Sequence, residues 1–281
     1  MMTESLPSFA DRMATARSFL FVPADRPERF EKAIASGADM VIVDLEDAVS
    51  PDRKEAARSA LMAWLDPRRP VMVRINGAAS PWLEGDLDLC RRPGVGGIVF
   101  PKAEDGDLLR AVASAHPVLA LIESAVAVEQ LSMLARVDGV VRLALGSVDL
   151  ALDLDTDADD WIFDPVRLAM TVSSRAAGKA PPVDGVATAF DDPALVQAAA
   201  SAARKYGFGG KLCIHPAQVP PVHRALLPDA QQVEAARRIV EAAQASNGGA
   251  VAVAGQMIDL PVIARARRTL ALHHAQSLDF A

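Results

Sequence analysis

The sequence predicts a (β/α)8 barrel, the TIM barrel, followed by a C-terminal helical tail. Eight short apolar runs alternate with helix-like segments along the 281 residues, the pattern of successive βα units. Within each run the apolar positions are mostly continuous rather than alternating, which suits parallel strands buried on both faces. Polar residues recur where these runs end, and a barrel gathers those ends on one face.

Residues 1–16, MMTESLPSFADRMATA, read as a flexible N-terminal arm. The barrel is expected over 17–228. Its strands are predicted at 18–23 (SFLFVP), 40–47 (MVIVDLED), 71–76 (VMVRIN), 97–103 (GIVFPKA), 118–125 (VLALIESA), 142–147 (RLALGS), 182–186 (PVDGV) and 210–216 (GKLCIHP). Between them, 27–37 opens on Pro27 and closes on Gly37, as helices tend to. Residues 50–65 offer Ser50 as N-cap and Pro51 at the first helical position. Residues 191–207 follow the same plan. The barrel is complete before the chain ends, so a helix at about 229–246 and a second at 262–273 belong to a tail, 229–281, expected to pack on a neighbouring subunit.

Composition narrows the function classes. Hydrophobic residues make up 51% of the chain, enough for a sizeable core. A net charge of −7 argues against nucleic acid as a partner, since phosphate contacts need clustered Lys and Arg. It leaves room for a locally bound anion. No apolar run reaches the ~18 residues of a membrane span, and the N-terminus has no signal-peptide core. The expected location is the cytoplasm. Cys90 and Cys213 read as buried free thiols rather than a disulfide framework.

Glu123, in LIESA, and Asp149, in LGSVDL, each follow an apolar run without a nearby Lys or Arg. A buried carboxylate is costly unless it is paired or bound to a cation. Two acids from neighbouring strands can hold Mg2+, which takes one or two protein carboxylates and leaves room for substrate oxygens. An ion pair or an N-cap role is the competing reading for both. Arg74 can grip a carboxylate in a bidentate fork; a salt bridge to Glu46 or Asp47 is its structural alternative. Asp44, Glu46 and Asp47 lie in an acid-dense segment, and Glu46 and Asp47 suit metal-bound water as well as structural pairing. Asn76, Lys102, Asp184 and His215 also fall at strand ends; His215 fits ligand contact or a turn-forming role equally. The acidic loop 153–160 spaces Asp153, Asp155, Asp157 and Asp159 like a calcium loop. It lacks the turn glycine and the closing glutamate, and reads as a solvated loop. GFGGK (207–211) leads into a strand, so it is not a Walker A loop.

Together RSFLFVPADRPERFEKA, ADMVIVDLEDAVSPDRKEAAR, VRIN, FPKAE, LIESA, LGSVDL, GFGGKLCIHPAQV and GQMIDLPV resemble the citrate lyase β-subunit-like proteins of the HpcH/HpaI aldolase superfamily, closest in motif to malyl-CoA and citramalyl-CoA lyases. The likeness runs from about Arg17 to Leu272. It implies a TIM barrel, Mg2+ held by Glu123 and Asp149, and cleavage or formation of a C–C bond beside a CoA or acyl-carrier thioester. It implies that Arg74 binds the carboxylate or oxo-acid part of the substrate. Phe21, Arg26 and Lys32 match the CoA-binding region, and the GFGGKLCIHPAQV motif carries His215 and Pro216 as further substrate contacts. Asp259 matches an acid/base that an adjacent subunit supplies; by itself it fits a helix N-cap as well. A homotrimer, or a multiple of it, follows from the same likeness.

The chain has Ala24 where the family has glycine, and a turn needing φ > 0 would disfavour alanine. Glu46-Asp47 replaces the Glu-His of pyruvate-type class II aldolases, which argues against free hydroxy-oxo acids as substrates. The expected activity is a Mg2+-dependent lyase acting on a 3-hydroxy-acyl-CoA of the malyl or citramalyl type. A malyl-CoA thioesterase and the citryl-carrier lyase β subunit are the alternatives. A non-catalytic protein on this barrel would be expected to lack these residues. Sequence leaves open the acyl group, its stereochemistry, the CoA or carrier-protein handle and the direction of reaction.

Overall fold

A computed structural model describes residues 7–157, 160–245, 251–253 and 256–279. Two compact units emerge, 1–226 and 227–281.

The first unit is a closed barrel of eight parallel strands in sequence order. They are β1 (Ser18–Pro23), β2 (Met40–Asp44), β3 (Val71–Arg74), β4 (Val95–Phe100), β5 (Val118–Ile122), β6 (Val140–Leu145), β7 (Val183–Asp184) and β8 (Gly210–Cys213). All eight predicted strands are present, and most stop a few residues early. The polar residues of DLED, RIN and PKA leave the ladder and form loops instead.

Alternation along each strand divides the core in two. Phe19, Met40, Ile42, Met72, Val99, Leu119, Leu121, Ala144, Val183 and Leu212 fill the barrel interior. Residues of opposite parity, such as Leu20, Val41, Val43, Val73, Ala120 and Ile122, pack outward with the surrounding helices. Cys90 and Cys213 are buried and unbridged, and burial pushes both thiols up to about 12.

The N-terminal segment departs from the expected arm. Phe9–Thr15 is a helix, opened by a capping box between Ser8 and Asp11. Its Met13 is fully buried and joins the barrel interior. Gly96 and Gly97 make room for it, since a Cβ at Gly96 would lie 2.3 Å from the Phe9 ring. The helix closes the end of the barrel opposite the βα loops.

Arg142 seals that end. Its side chain is 1% exposed and donates to the carbonyls of Met13, Ala16, Pro181 and Pro182, at 2.5–3.3 Å. Burial pushes its pKa down to about 9. Gly209 and Gly210 of GFGGK serve this contact, because a Cβ at Gly210 would stand 3.1 Å from the Arg142 guanidinium. Beside it, Asp39 Oδ2 accepts the backbone N–H groups of Arg17 and Ser18 and lies 3.2 Å from His223 Nε2. Burial works to raise the Asp39 carboxyl. The hydrogen bond and charge of His223, with the Arg17 N–H, outweigh burial and hold it well below the usual range.

The second unit contains the helix Ala230–Ala245, an antiparallel pair β9 (Val251–Val253) and β10 (Gln256–Ile258), and the helix Leu260–Asp279. Ala243, Ile258 and Ile263 form its core. Among the described residues no helix is long and apolar enough to cross a membrane.

Asp39 has a depressed folded-state pKa, so its stabilisation is present above the unfolded value of about 3.9 and lost as pH falls. Asp39→Asn is expected to reduce unfolding free energy by roughly 1–3 kcal/mol at pH 7. Urea titrations of mutant and wild type should converge as pH drops below about 4. A gap that persists in acid would remove Asp39 as the titrating group.

Candidate active site

The strand parity that builds the interior also delivers the site. Met40, Ile42 and Asp44 share one face of β2, Met72 and Arg74 one face of β3, and Phe19 and Phe21 one face of β1. Leu119 and Leu121 continue to Glu123 just past β5. The last member of each series stands at the barrel mouth, and Asp44 pairs in register with Arg74.

Arg74 is the hub. Its Nε and NH2 donate to Asp44 at 2.8 and 2.5 Å, a two-point fork. NH1 lies 3.1 Å from Glu46 Oε2, and the guanidinium rests over the Phe21 ring at 4.9 Å. The expected salt bridge therefore runs to Glu46 and, more fully, to Asp44. Asp47 is exposed. Arg74's bidentate face lies on Asp44.

Glu46 is 5% exposed, and its Oε2 makes no hydrogen bond despite the nearby guanidinium. Burial pushes its carboxyl up to about 7; Arg74 and Lys102 oppose the shift and Asp47 and Asp44 add to it. Glu123 is 3% exposed and accepts the Lys102 backbone N–H at 2.7 Å. Burial, then the charge of Glu46, push its carboxyl up to about 8, with Asp149 adding to the rise. Asp149 sits in the first turn of the helix Ser147–Asp153 rather than at the strand end, and it is half-buried. Gly146, between them, has no room for a side chain: a Cβ would lie 2.4 Å from Glu123 Cβ and 2.6 Å from its Oε2.

Lys102 adopts φ +44°. A non-glycine residue in this region costs roughly 1–3 kcal/mol. The conformation aims its N–H at Glu123, and its Nζ lies 3.5 Å from Glu46 Oε1.

The excess of acid over base fits a divalent cation. Among the described residues no group of three or more His, Cys, Asp or Glu could hold a metal ion. Glu123 with Asp149 is a two-carboxylate arrangement, suited to Mg2+, which completes its shell with water and substrate oxygens.

Other predicted residues separate from this cluster. Asp184 faces away from the interior, where Arg167 Nε (3.0 Å) and Lys211 Nζ (2.5 Å) pair with it; its role is structural. Asn76 is buried in a network with Asp86, Lys54 and the Leu45 carbonyl. Arg26 and Lys32 are exposed on the segment after β1. Ala24 is fully buried, and its N–H donates to the Asp44 carbonyl at 2.9 Å. Among the described residues the non-glycine positions at positive φ are Lys102 and Asp155, so the expected strain at Ala24 is absent. His215, half-buried, caps the turn Pro216–Gln218 and stacks with Phe190 at 5.2 Å. Asp153 Oδ2 accepts the Ala125 N–H at 2.7 Å, a structural use of the acidic loop; Ala158 and Asp159 lie outside the described residues. Asp259, in the second unit, caps the helix Leu260–Asp279 by accepting the Val262 N–H at 3.2 Å.

Lys54 was not foreseen. Its ammonium donates to the Leu45 and Glu46 carbonyls and to Asn76 Oδ1, each at 2.7 Å, and so fixes the loop that carries Glu46. The available signal was its spacing: Lys54, Ala57 and Leu61 share the buried face of the helix Lys54–Trp64.

Known proteins align with this architecture. The family model for HpcH/HpaI aldolase/citrate lyase matches residues 17–216. A citrate lyase subunit beta-like protein of Mycobacterium tuberculosis is 37% identical over 265 residues, covering 92% of this chain and 95% of the relative. A (3S)-malyl-CoA thioesterase of Cereibacter sphaeroides is 33% identical over 272 residues, covering 91% and 93%. The crystal structure of CitE from Mycobacterium tuberculosis, in complex with magnesium, acetoacetate and coenzyme A, superposes with a TM-score of 0.84 at 35% identity, covering 92% of this chain and 98% of that one.

Gly146→Ala is expected to displace Glu123 and weaken divalent-cation binding about tenfold or more, with the fold intact. Mn2+ titration followed by electron paramagnetic resonance, with a thermal melt as control, measures this. Unchanged Mn2+ affinity would exclude Glu123 as a ligand in its present position.

Proposed function

Because the chain belongs to the HpcH/HpaI aldolase/citrate lyase family, we propose that it is a Mg2+-dependent carbon–carbon lyase. Its substrate is a 3-hydroxy-acyl-CoA thioester of the citramalyl-CoA or malyl-CoA type, and its products are acetyl-CoA and an oxo acid. The observation that carries this reading is the pair Glu123 and Asp149 at the barrel mouth, with Glu123 buried and without an ion-pair partner among the described residues.

Glu123 and Asp149 would hold the metal. When bound, Mg2+ supplies Lewis acidity toward the substrate hydroxyl and carboxylate oxygens. The chain's own groups do the rest. Arg74, locked by Asp44, presents a fixed positive charge to the alkoxide left when the substrate hydroxyl loses its proton. Glu46, with a buried oxygen free of hydrogen bonds, is placed to accept the hydroxyl proton; exposed Asp47 orders water beside it. The C–C bond electrons pass to the thioester as an enolate. Asp259 of a neighbouring subunit gives a proton to the enolate carbon and completes acetyl-CoA. Phe21 on β1, Arg26 and Lys32 on the segment that follows β1, and His215 and Pro216 just after β8 belong to two strands that pair in the barrel, and form the thioester-binding side. The protein works as a homo-oligomer, a trimer or a multiple of it, in the cytoplasm.

A malyl-CoA thioesterase is the second reading, favoured by the likeness to the Cereibacter sphaeroides enzyme. The same acids and cation would then serve hydrolysis of the thioester bond.

Malyl-CoA and both citramalyl-CoA stereoisomers, assayed with Mg2+ and with EDTA, separate these outcomes. Mg2+-dependent acetyl-CoA and an oxo acid are expected; free CoA without acetyl-CoA would replace the lyase with a thioesterase. Asp259→Asn should lower turnover by about a hundredfold or more while Mg2+ affinity holds. Near-normal turnover in that variant would take Asp259 out of the mechanism.

A further inference from the structure

Lys102 occupies a backbone conformation that glycine adopts freely, in the loop just after β4. Glycine would present the same N–H to Glu123. A lysine side chain kept at such a position therefore has a use of its own, beyond the backbone contact.

That use follows from which cation at the mouth is available. Arg74 has its two-point face on Asp44 and NH1 beside Glu46, and its side chain is 12% exposed. The Lys102 side chain is 51% exposed, and its one ion pair among the described residues, to Glu46 at 3.5 Å, is long. An ammonium carries three donors. At least two remain to face the opening, beside the acids proposed to hold the metal. The charges of Glu46, Asp47, Glu123 and Asp149 all act on this ammonium.

We propose that Lys102 is a substrate-binding residue: its ammonium contacts the carboxylate-bearing, oxo-acid end of the substrate, while its backbone N–H orients Glu123. The assignment rests on the substrate class proposed above. It sets Lys102 beside Arg74, whose fork lies on Asp44, as a second positive charge for the substrate's negative end. It also explains the strained backbone, since one residue then fixes both an acid of the metal site and the group the metal site acts upon.

Three variants of the full-length protein test this. K102G suits the backbone and keeps the N–H, K102M keeps the stem without charge, and K102R restores a cation. Calorimetry measures Mg2+ binding first, and then glyoxylate and pyruvate binding to the Mg2+-loaded protein. K102M and K102G should keep Mg2+ affinity within about threefold and melt near wild type, yet bind the oxo acid about tenfold more weakly. The KM of the thioester should rise by a similar factor with kcat little changed, and K102R should recover most of the loss. Oxo-acid binding retained by K102M and K102G overturns the assignment of Lys102 alone. Parallel loss of melting temperature, Mg2+ affinity and oxo-acid binding in both variants makes Lys102 structural and overturns it too. A wild-type protein that binds neither oxo acid with Mg2+ present overturns the underlying substrate class, and this assignment with it.

Discussion

The barrel mouth is organised around one unfavourable group, the buried carboxylate of Glu123. Removing a carboxylate from water without a paired cation is costly, and no ion pair to Glu123 exists among the described residues. Its neighbours are arranged to accept that cost. Lys102 takes a strained backbone conformation to offer it an N–H. Position 146 carries no side chain because Glu123 occupies the space. Glu46, nearby and also buried, raises it further. Local compromises that converge on one point are a mark of function rather than of stability.

The two ends of the barrel divide the labour accordingly. At the end closed by the N-terminal helix, charge is satisfied. Arg142 has four carbonyl partners, and Asp39 has two backbone donors and His223. On the outer face, Asp184 is held between Arg167 and Lys211. At the mouth, acids exceed their partners and one buried oxygen has no hydrogen bond. The first arrangement stabilises a fold; the second leaves valence for a metal ion and a substrate. This division agrees with the general behaviour of such barrels, in which chemistry belongs to the βα-loop face.

Rigidity supports the mouth. Lys54 ties two carbonyls of the loop after β2 to Asn76, and Asn76 is tied to Asp86, which also pairs with Arg58. Asp44 fixes the guanidinium of Arg74 at two points. Electrostatic catalysis depends on charges that need not reorganise during the reaction. The network holds Arg74 and Glu46 in such a fixed arrangement.

The fold was legible because it rests on local regularities. Eight apolar runs, the capping residues and the polar strand ends are one-dimensional signals, and the family motifs added the order in which they occur. Glu123, Asp149 and Arg74 could be picked out for the same reason: each breaks an apolar stretch or follows one. Partner choice was not legible, because it depends on register and strand parity across the barrel. Parity sends Asp44 to Arg74 and turns Asp184 outward, although both are acids at strand ends. The N-terminal arm became a helix because Phe9 and Met13 meet glycines more than eighty residues away. Ala24 proved harmless because its φ is ordinary, and the strain fell on Lys102 instead. Sequence determined which residues this protein brings to its βα loops. Only the closed barrel decided which of their charges are neutralised by one another and which are left for a ligand, because that depends on distances between strands far apart in the chain.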